Sequence, residues 1–253
     1  MKGETLIRGG LLVSVRSTEE ARVALEGGAT WIDVKEPRNG PLGRASPRVW
    51  RAVRAVVPVA VAFSVALGEL PEHRPPILMA NDLQGVEHAK VGLAGVGPDW
   101  REQWSRLRDS LPKVRWVAVA YRDHLVAGSP CLDDVLAEAI AVGSCVGALI
   151  DTWRKSGASL VEGKDDDRSW VQGCARSPVF ERFRESGKFL SLAGGLDLDA
   201  ISGLREALAP DWFAVRGAAC ARGDRLGRVE LHRVQRLAAA AAGSSLPQGP
   251  GPE

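Results

Sequence analysis

Short apolar runs of strand length alternate along the chain with longer stretches of helical spacing. The runs predict strands over residues 11–16, 31–35, 59–67, 88–93, 116–122, 148–153, 189–193 and 212–216. Between them, apolar positions recur every three or four residues over 18–25, 47–56, 100–111, 132–142, 170–185, 197–208 and 227–242, which predicts helices. Ser17, Ser46 and Asp99 precede three of these and are expected to cap them, because a side-chain oxygen there accepts an otherwise orphaned amide N–H. The unit after the third strand is the weakest, since residues 74–83 carry Pro75 and Pro76 in a poor helical pattern.

Regular alternation of strand and helix argues for a parallel sheet. Eight strands spaced about every 29 residues suit a closed barrel. Side-chain alternation points the same way. Val59, Val61, Phe63, Val65 and Leu67 oppose Ala60, Ala62, Ser64 and Ala66; Leu11, Val13 and Val15 oppose Leu12, Ser14 and Arg16; Ile32 and Val34 oppose Asp33 and Lys35. Large apolar groups would pack under helices, with small or polar ones inside the barrel. An open doubly wound sheet would instead show central strands apolar on both faces. The expectation is an α/β protein with a single (β/α)8 TIM barrel over residues 1–242. A Gly/Pro-rich tail over 243–253 has the composition of a disordered segment.

Composition narrows the partners. The formal net charge of +2 over 253 residues is close to neutral and does not point to nucleic acid or an anionic membrane. No apolar run reaches the roughly 18 residues of a membrane span, and the amino terminus lacks a signal-peptide core. Cys131, Cys145, Cys174 and Cys220 stand far apart without nearby histidines, which reads as free thiols in a reducing cytoplasm and gives no metal site. Eight tryptophans leave room for aromatic contact patches, so a homo-oligomer stays open.

Only seven of the 33 basic residues are lysine. Against an arginine-rich background, a lysine at a strand end stands out, because lysine can lose its proton or form an imine and arginine cannot. In a barrel the active site forms where strands end at their carboxyl side. Strand two ends in Asp33-Val34-Lys35, strand four contains Lys90, and strand six ends in Asp151 with Lys155 just beyond. Alternation points Asp33, Lys35 and Lys90 inward. This set either fills the barrel centre as a charge cluster or performs imine chemistry on a carbonyl substrate. For the latter, burial and a neighbouring ammonium such as Lys90 would have to lower the Lys35 pKa, while Asp33 would raise it and later stabilise the iminium.

Leu192-Ala193-Gly194-Gly195-Leu196 and Arg216-Gly217-Ala218 end the last two strands, where barrels commonly bind phosphate. Gly194, Gly195 and Gly217 would offer backbone N–H groups and Arg216 a bidentate charge contact, although tight turn chemistry also explains the glycines. His88 faces inward and reads as a core residue. Arg122 and Asp123 would position substrate or pair with each other; Ser14 and Ser64 read as filling. The Gly-rich acidic segment 156–168 suits a lid or a solvated loop.

With Ile32-Asp33-Val34-Lys35-Glu36-Pro37, Lys90-Val91-Gly92-Leu93-Ala94-Gly95 and Asp151-Thr152-Trp153 followed by Lys155-Ser156-Gly157 in view, the chain resembles the (5-formylfuran-3-yl)methyl phosphate synthase family over almost its whole length. The resemblance implies a barrel that condenses two glyceraldehyde 3-phosphate molecules for a methanofuran-type one-carbon carrier. It implies Lys35 as the Schiff-base lysine, Lys90 as the proton acceptor, and Asp33, Asp151 and Lys155 as supporting charges, with no metal or organic cofactor. Gly195 stands where the family pattern carries serine, which would remove one hydroxyl contact to phosphate. Another Schiff-base aldolase on a phosphorylated aldehyde, or a non-catalytic phosphate-ligand-binding barrel, would use many of the same residues.

Overall fold

In the computed structural model, which describes residues 10–73, 80–155, 160 and 165–244, all eight apolar runs form strands. These are β1 (Gly10–Val15), β2 (Trp31–Val34), β3 (Ala62–Glu69), β4 (His88–Gly92), β5 (Arg115–Tyr121), β6 (Cys145–Asp151), β7 (Phe189–Leu192) and β8 (Trp212–Val215). They pair in parallel in sequence order, and β8 returns to β1 with Leu11 beside Phe213 and Val13 beside Val215, closing a (β/α)8 barrel. The helices are α1 (Thr18–Glu26), α2 (Pro47–Arg54), α3 (Trp100–Ser110), α4 (His124–Ala127), α5 (Leu132–Ala141), α6 (Asp165–Arg176), α7 (Pro178–Glu185), α8 (Leu198–Leu208) and α9 (Leu231–Ala242). None of the described helices is long and apolar enough to cross a membrane.

The alternation of the strands divides the core in two. Val13, Val15, Ile32, Val34, Phe63 and Val65 pack outward against helix residues such as Trp50, Trp104 and Phe183. Leu12, Trp31, Val117, Leu149, Phe189 and Trp212 point inward. At the amino-terminal end, Trp31 meets Trp212 edge-on at 5.1 Å, Phe189 at 5.1 Å and His88 at 5.0 Å, an aromatic plug that fills the barrel floor. The buried charged groups Asp33, Lys90 and Asp151 lie toward the other end.

Several boundaries differ from the sequence expectation. β3 starts at Ala62 and runs on to Glu69, while Val59 lies outside it and is 87% exposed. The helix expected over 170–185 is two helices, because Ser177 accepts from the Phe180 N–H and Pro178 opens a new first turn. Ser17 and Ser46 cap α1 and α2 as expected, whereas Asp99 makes no side-chain cap bond to α3. The segment before α9 is a short hairpin held by an antiparallel bridge between Cys220 and Val229, so that helix begins at Leu231 rather than Gly227. Residues 80–83 form a 3-10 turn, and 74–79 lie outside the described residues. So do most of the expected lid, 156–159 and 161–164, and the tail from 245. The eight tryptophans are buried or half-buried and form no surface aromatic patch.

Candidate active site

The carboxyl ends of β2, β4 and β6 bring the sequence-predicted lysines and aspartates to one cavity of about 320 Å³, lined by Asp33, Lys35, Lys90, Asp151 and Lys155. Two of the lysines are paired. Lys90 Nζ lies 2.8 Å from Asp33 Oδ1, with both side chains buried, and Lys155 Nζ donates to Asp151 Oδ1 at 2.5 Å. Asp33 is held further by Ser64 Oγ (2.6 Å) and Ser14 Oγ (3.1 Å), and Trp31 Nε1 donates to Ser64 Oγ at 2.9 Å. The two serines that read as filling therefore orient a carboxylate.

Lys35, just past the end of β2, is different. Its Nζ donates to the Pro41 carbonyl at 3.3 Å, and among the described residues no carboxylate lies within ion-pair distance of it. Burial lowers its pKa from 10.5 to about 8; the attraction of Asp151 and Asp33 is opposed by the ammonium groups of Lys155 and Lys90. The carboxylate acting most on Lys35 is Asp151, ahead of Asp33, the one the sequence singled out. Burial pushes the Asp151 carboxyl up, but Lys155, Lys35 and the Thr152 N–H outweigh it and hold it below the usual range.

The expected phosphate end forms the opposite wall of the same cavity, with Gly194, Gly195, Arg216 and Gly217. Gly194 has φ +101°, and a Cβ there would meet Thr152 Cγ2 at 2.9 Å, so the close packing of these two loops requires glycine. The expectation for Arg216 is corrected. Its Nη1 donates to Glu20 Oε2 (2.5 Å) and the Ser14 carbonyl (3.0 Å), Nη2 to Glu20 Oε1 (3.1 Å) and the Gly227 carbonyl (2.8 Å), and Nε to the Arg225 carbonyl (2.9 Å). Since arginine has five N–H donors, none remains for a phosphate. Arg216 is a buried clamp between α1, β1 and the 217–230 hairpin.

Two features escaped the sequence. Arg225, on that hairpin, lines the cavity and donates from Nη2 to the Gly40 carbonyl at 2.9 Å. Glu69, at the end of β3, accepts from Tyr121 Oη (2.7 Å) and the Ala94 N–H (2.9 Å), and burial raises its pKa to about 7. A register shift between Ala66 and Glu69 breaks the period-two pattern that would have pointed to it.

Other candidates are placed elsewhere. His88 belongs to the aromatic floor, where burial lowers its pKa to about 4. Asp123 accepts from the backbone N–H groups of Trp153 (2.6 Å) and Arg154 (3.0 Å) and so fixes the loop carrying Lys155. Arg122 donates to the Leu160 carbonyl and stacks on Trp170. Burial raises the thiols of Cys174 to about 12 and Cys220 to about 11, which makes them poor nucleophiles. Among the described residues, no group of three or more His, Cys, Asp or Glu side chains is arranged to hold a metal ion.

A closed parallel barrel with lysines and carboxylates at the carboxyl ends of its strands is the architecture of a TIM-barrel enzyme. Residues 11–238 match the model of one such family, 4-HFC-P synthase. The chain is 34% identical over 244 residues to the (5-formylfuran-3-yl)methyl phosphate synthase of Methanopyrus kandleri, covering 92% of this chain and 98% of that protein. It is 31% identical over 241 residues to the protein of the same name from Methanococcus maripaludis, covering 90% and 97%. The chain belongs to the 4-HFC-P synthase family. Among solved structures it is similar to phosphoribosyl anthranilate isomerase from Thermotoga maritima, with TM-score 0.58 and 14% identity over 92% of this chain and 98% of that one. It is also similar to thiamine phosphate pyrophosphorylase from Pyrococcus furiosus, with TM-score 0.57 and 16% identity over 94% and 98%. At that identity these two show the barrel fold alone.

Proposed function

We propose that this chain condenses two molecules of glyceraldehyde 3-phosphate into (5-formylfuran-3-yl)methyl phosphate through an imine on Lys35, as a step toward a methanofuran-type one-carbon carrier. One phosphate and two waters leave, which balances the conversion. The observation that carries this reading is that Lys35 alone of the three cavity lysines lacks a carboxylate partner among the described residues and has its pKa lowered to about 8. At pH 7 that shift raises the neutral amine fraction about 300-fold over an ordinary lysine.

Neutral Lys35 attacks the carbonyl of one triose phosphate, and the carbinolamine loses water to give an iminium ion. Its positive charge withdraws electrons from the adjacent carbon, and the Lys90–Asp33 pair takes up the proton released there: Lys90 passes one of its own protons to the Asp33 carboxylate and accepts the substrate proton in its place. Asp151, facing both Lys35 and Lys155, stabilises the iminium, and Lys155 supplies a proton to departing oxygen. Phosphate leaves from the next carbon of the same triose, and the enol carbon this creates attacks the carbonyl carbon next to the CH2-phosphate of the second molecule, reacting as its keto isomer. Loss of two waters closes the furan, and hydrolysis of the imine releases the aldehyde and restores Lys35. The sequence relatives, named for this product, support the reading.

Borohydride reduction in the presence of glyceraldehyde 3-phosphate, followed by peptide mass mapping, tests it. A reduced triose adduct on Lys35, together with formation of an ultraviolet-absorbing furan aldehyde, is the expected result. An adduct without the furan chromophore would indicate a different Schiff-base aldolase. Substrate binding with no adduct would make the lysines a structural charge cluster.

A further inference from the structure

The two arginines of the cavity differ in what their guanidinium groups hold. Arg216 has all of its donors bonded within the protein. Arg225 donates once, to the Gly40 carbonyl, and among the described residues has no carboxylate within ion-pair distance. The neighbouring charges are answered: Lys90 by Asp33, Lys155 by Asp151 and Arg216 by Glu20. Lys35 must be uncharged to attack a carbonyl. Among the described residues, Arg225 is then the standing positive charge of the cavity, on the wall shared with Gly194, Gly195 and Gly217.

Its placement is built rather than incidental. Arg216 Nε donates to the Arg225 carbonyl and Arg216 Nη2 to the Gly227 carbonyl, so the clamp holds both sides of the turn that presents Arg225. The turn is tightened by the Leu226 N–H on Asp224 Oδ1 (2.9 Å) and the Gly227 N–H on the Asp224 carbonyl (2.8 Å).

We propose that Arg225 anchors the phosphate of the aldehyde whose carbonyl meets Lys35 and thereby selects phosphomonoesters over neutral aldehydes, with Arg216 as its positioning residue. The assignment rests on the reading of the site as one for triose phosphates. A planar guanidinium with free N–H groups suits a phosphate dianion, and the charge-assisted bonds it forms are among the stronger ones available to a protein.

Glycerol 3-phosphate tests the anchor without imine chemistry, because it has no carbonyl. Calorimetric titration of the full chain is expected to show binding of glycerol 3-phosphate but not of glycerol. Arg225→Gln should weaken that binding by about 10- to 100-fold, and Arg225→Lys should restore part of it. Arg228→Gln, a nearby exposed arginine, should leave it unchanged. With glyceraldehyde 3-phosphate, the loss in Arg225→Gln should fall mainly on KM. In case the substituted chain does not fold, phenylglyoxal labelling of the unaltered chain reports the same contact: glycerol 3-phosphate should protect Arg225. Wild-type affinity in a folded Arg225→Gln, no protection of Arg225, or no binding of glycerol 3-phosphate by the wild type would each overturn the proposal. The borohydride adduct on Lys35 reports separately on the imine, so the anchor can fail while the triose phosphate reading stands.

Discussion

Lys35 and Arg225 are held by consecutive carbonyl groups of one loop: Lys35 Nζ donates to Pro41 and Arg225 Nη2 to Gly40. The lysine just past β2 and the guanidinium on the hairpin after β8 are thus joined through a single peptide unit. Gly40 sits at φ +110° and ψ −174°, a region open essentially to glycine alone. Gly40→Ala meets no steric obstacle there but strains the backbone. It should lose about 1–3 kcal/mol of stability and lower kcat/KM by shifting both the Lys35 amine and the Arg225 guanidinium. An unchanged denaturation midpoint with unchanged kinetics would mean that this turn does not set their positions.

The lowered pKa of Lys35 predicts the acidic limb of the pH profile. kcat/KM should rise through about pH 8 as the free enzyme loses this proton. Lys35→Arg keeps a charge in place but should abolish the borohydride adduct and the limb together. Linkage gives a second readout. A lysine whose folded pKa lies below its unfolded value destabilises the fold while charged, and the penalty is relieved as pH rises from about 8 toward 10.5. Lys35→Met should therefore melt above the wild type at pH 7, with the gap narrowing toward pH 9. A gap independent of pH would disconnect the effect from titration.

The barrel was legible because its strands alternate so regularly, and the same alternation brought Asp33, Lys35, Lys90 and Asp151 to one cavity. Side-chain alternation reports direction, however, and not partnership. Arg216 stands at the end of β8 as expected, but Glu20, which takes its charge, lies 196 residues away on α1. Arg225 sits in an aperiodic hairpin among many arginines, and its bond to Gly40 spans 185 residues. Which lysine is left unpaired likewise follows from loop geometry that no local pattern encodes.

The Asp33–Lys90 pair is buried, so removing one charge strands the other. Lys90→Met should cost about 3–5 kcal/mol because Asp33 keeps only its two serine donors. Asp33→Asn leaves an ammonium group in the same position and should be similarly costly. The double substitution Asp33→Asn with Lys90→Met should be more stable than either single variant while remaining inactive. Additive losses of stability in this cycle would show that the two groups do not act as a pair.

Glu69 offers a test of the barrel interior away from the reacting groups. Its carboxyl is buried, and although the Ala94 N–H and the Tyr121 hydroxyl favour the ionised form, burial prevails and raises the pKa from 4.5 to about 7. The Tyr121 hydroxyl, itself pushed up by burial, stays protonated and remains a donor. A carboxyl whose folded pKa exceeds its unfolded value contributes stability that is present below about pH 4.5 and lost as pH rises through about 7. Glu69→Gln preserves the acceptor oxygen and removes the titration. The variant should match the wild type near pH 4.5 and become the more stable of the two by pH 8.5, measured by chemical denaturation at both pH values. Equal stability throughout, or an advantage to the wild type that grows with pH, would show instead that the ionised carboxylate is the form the barrel holds.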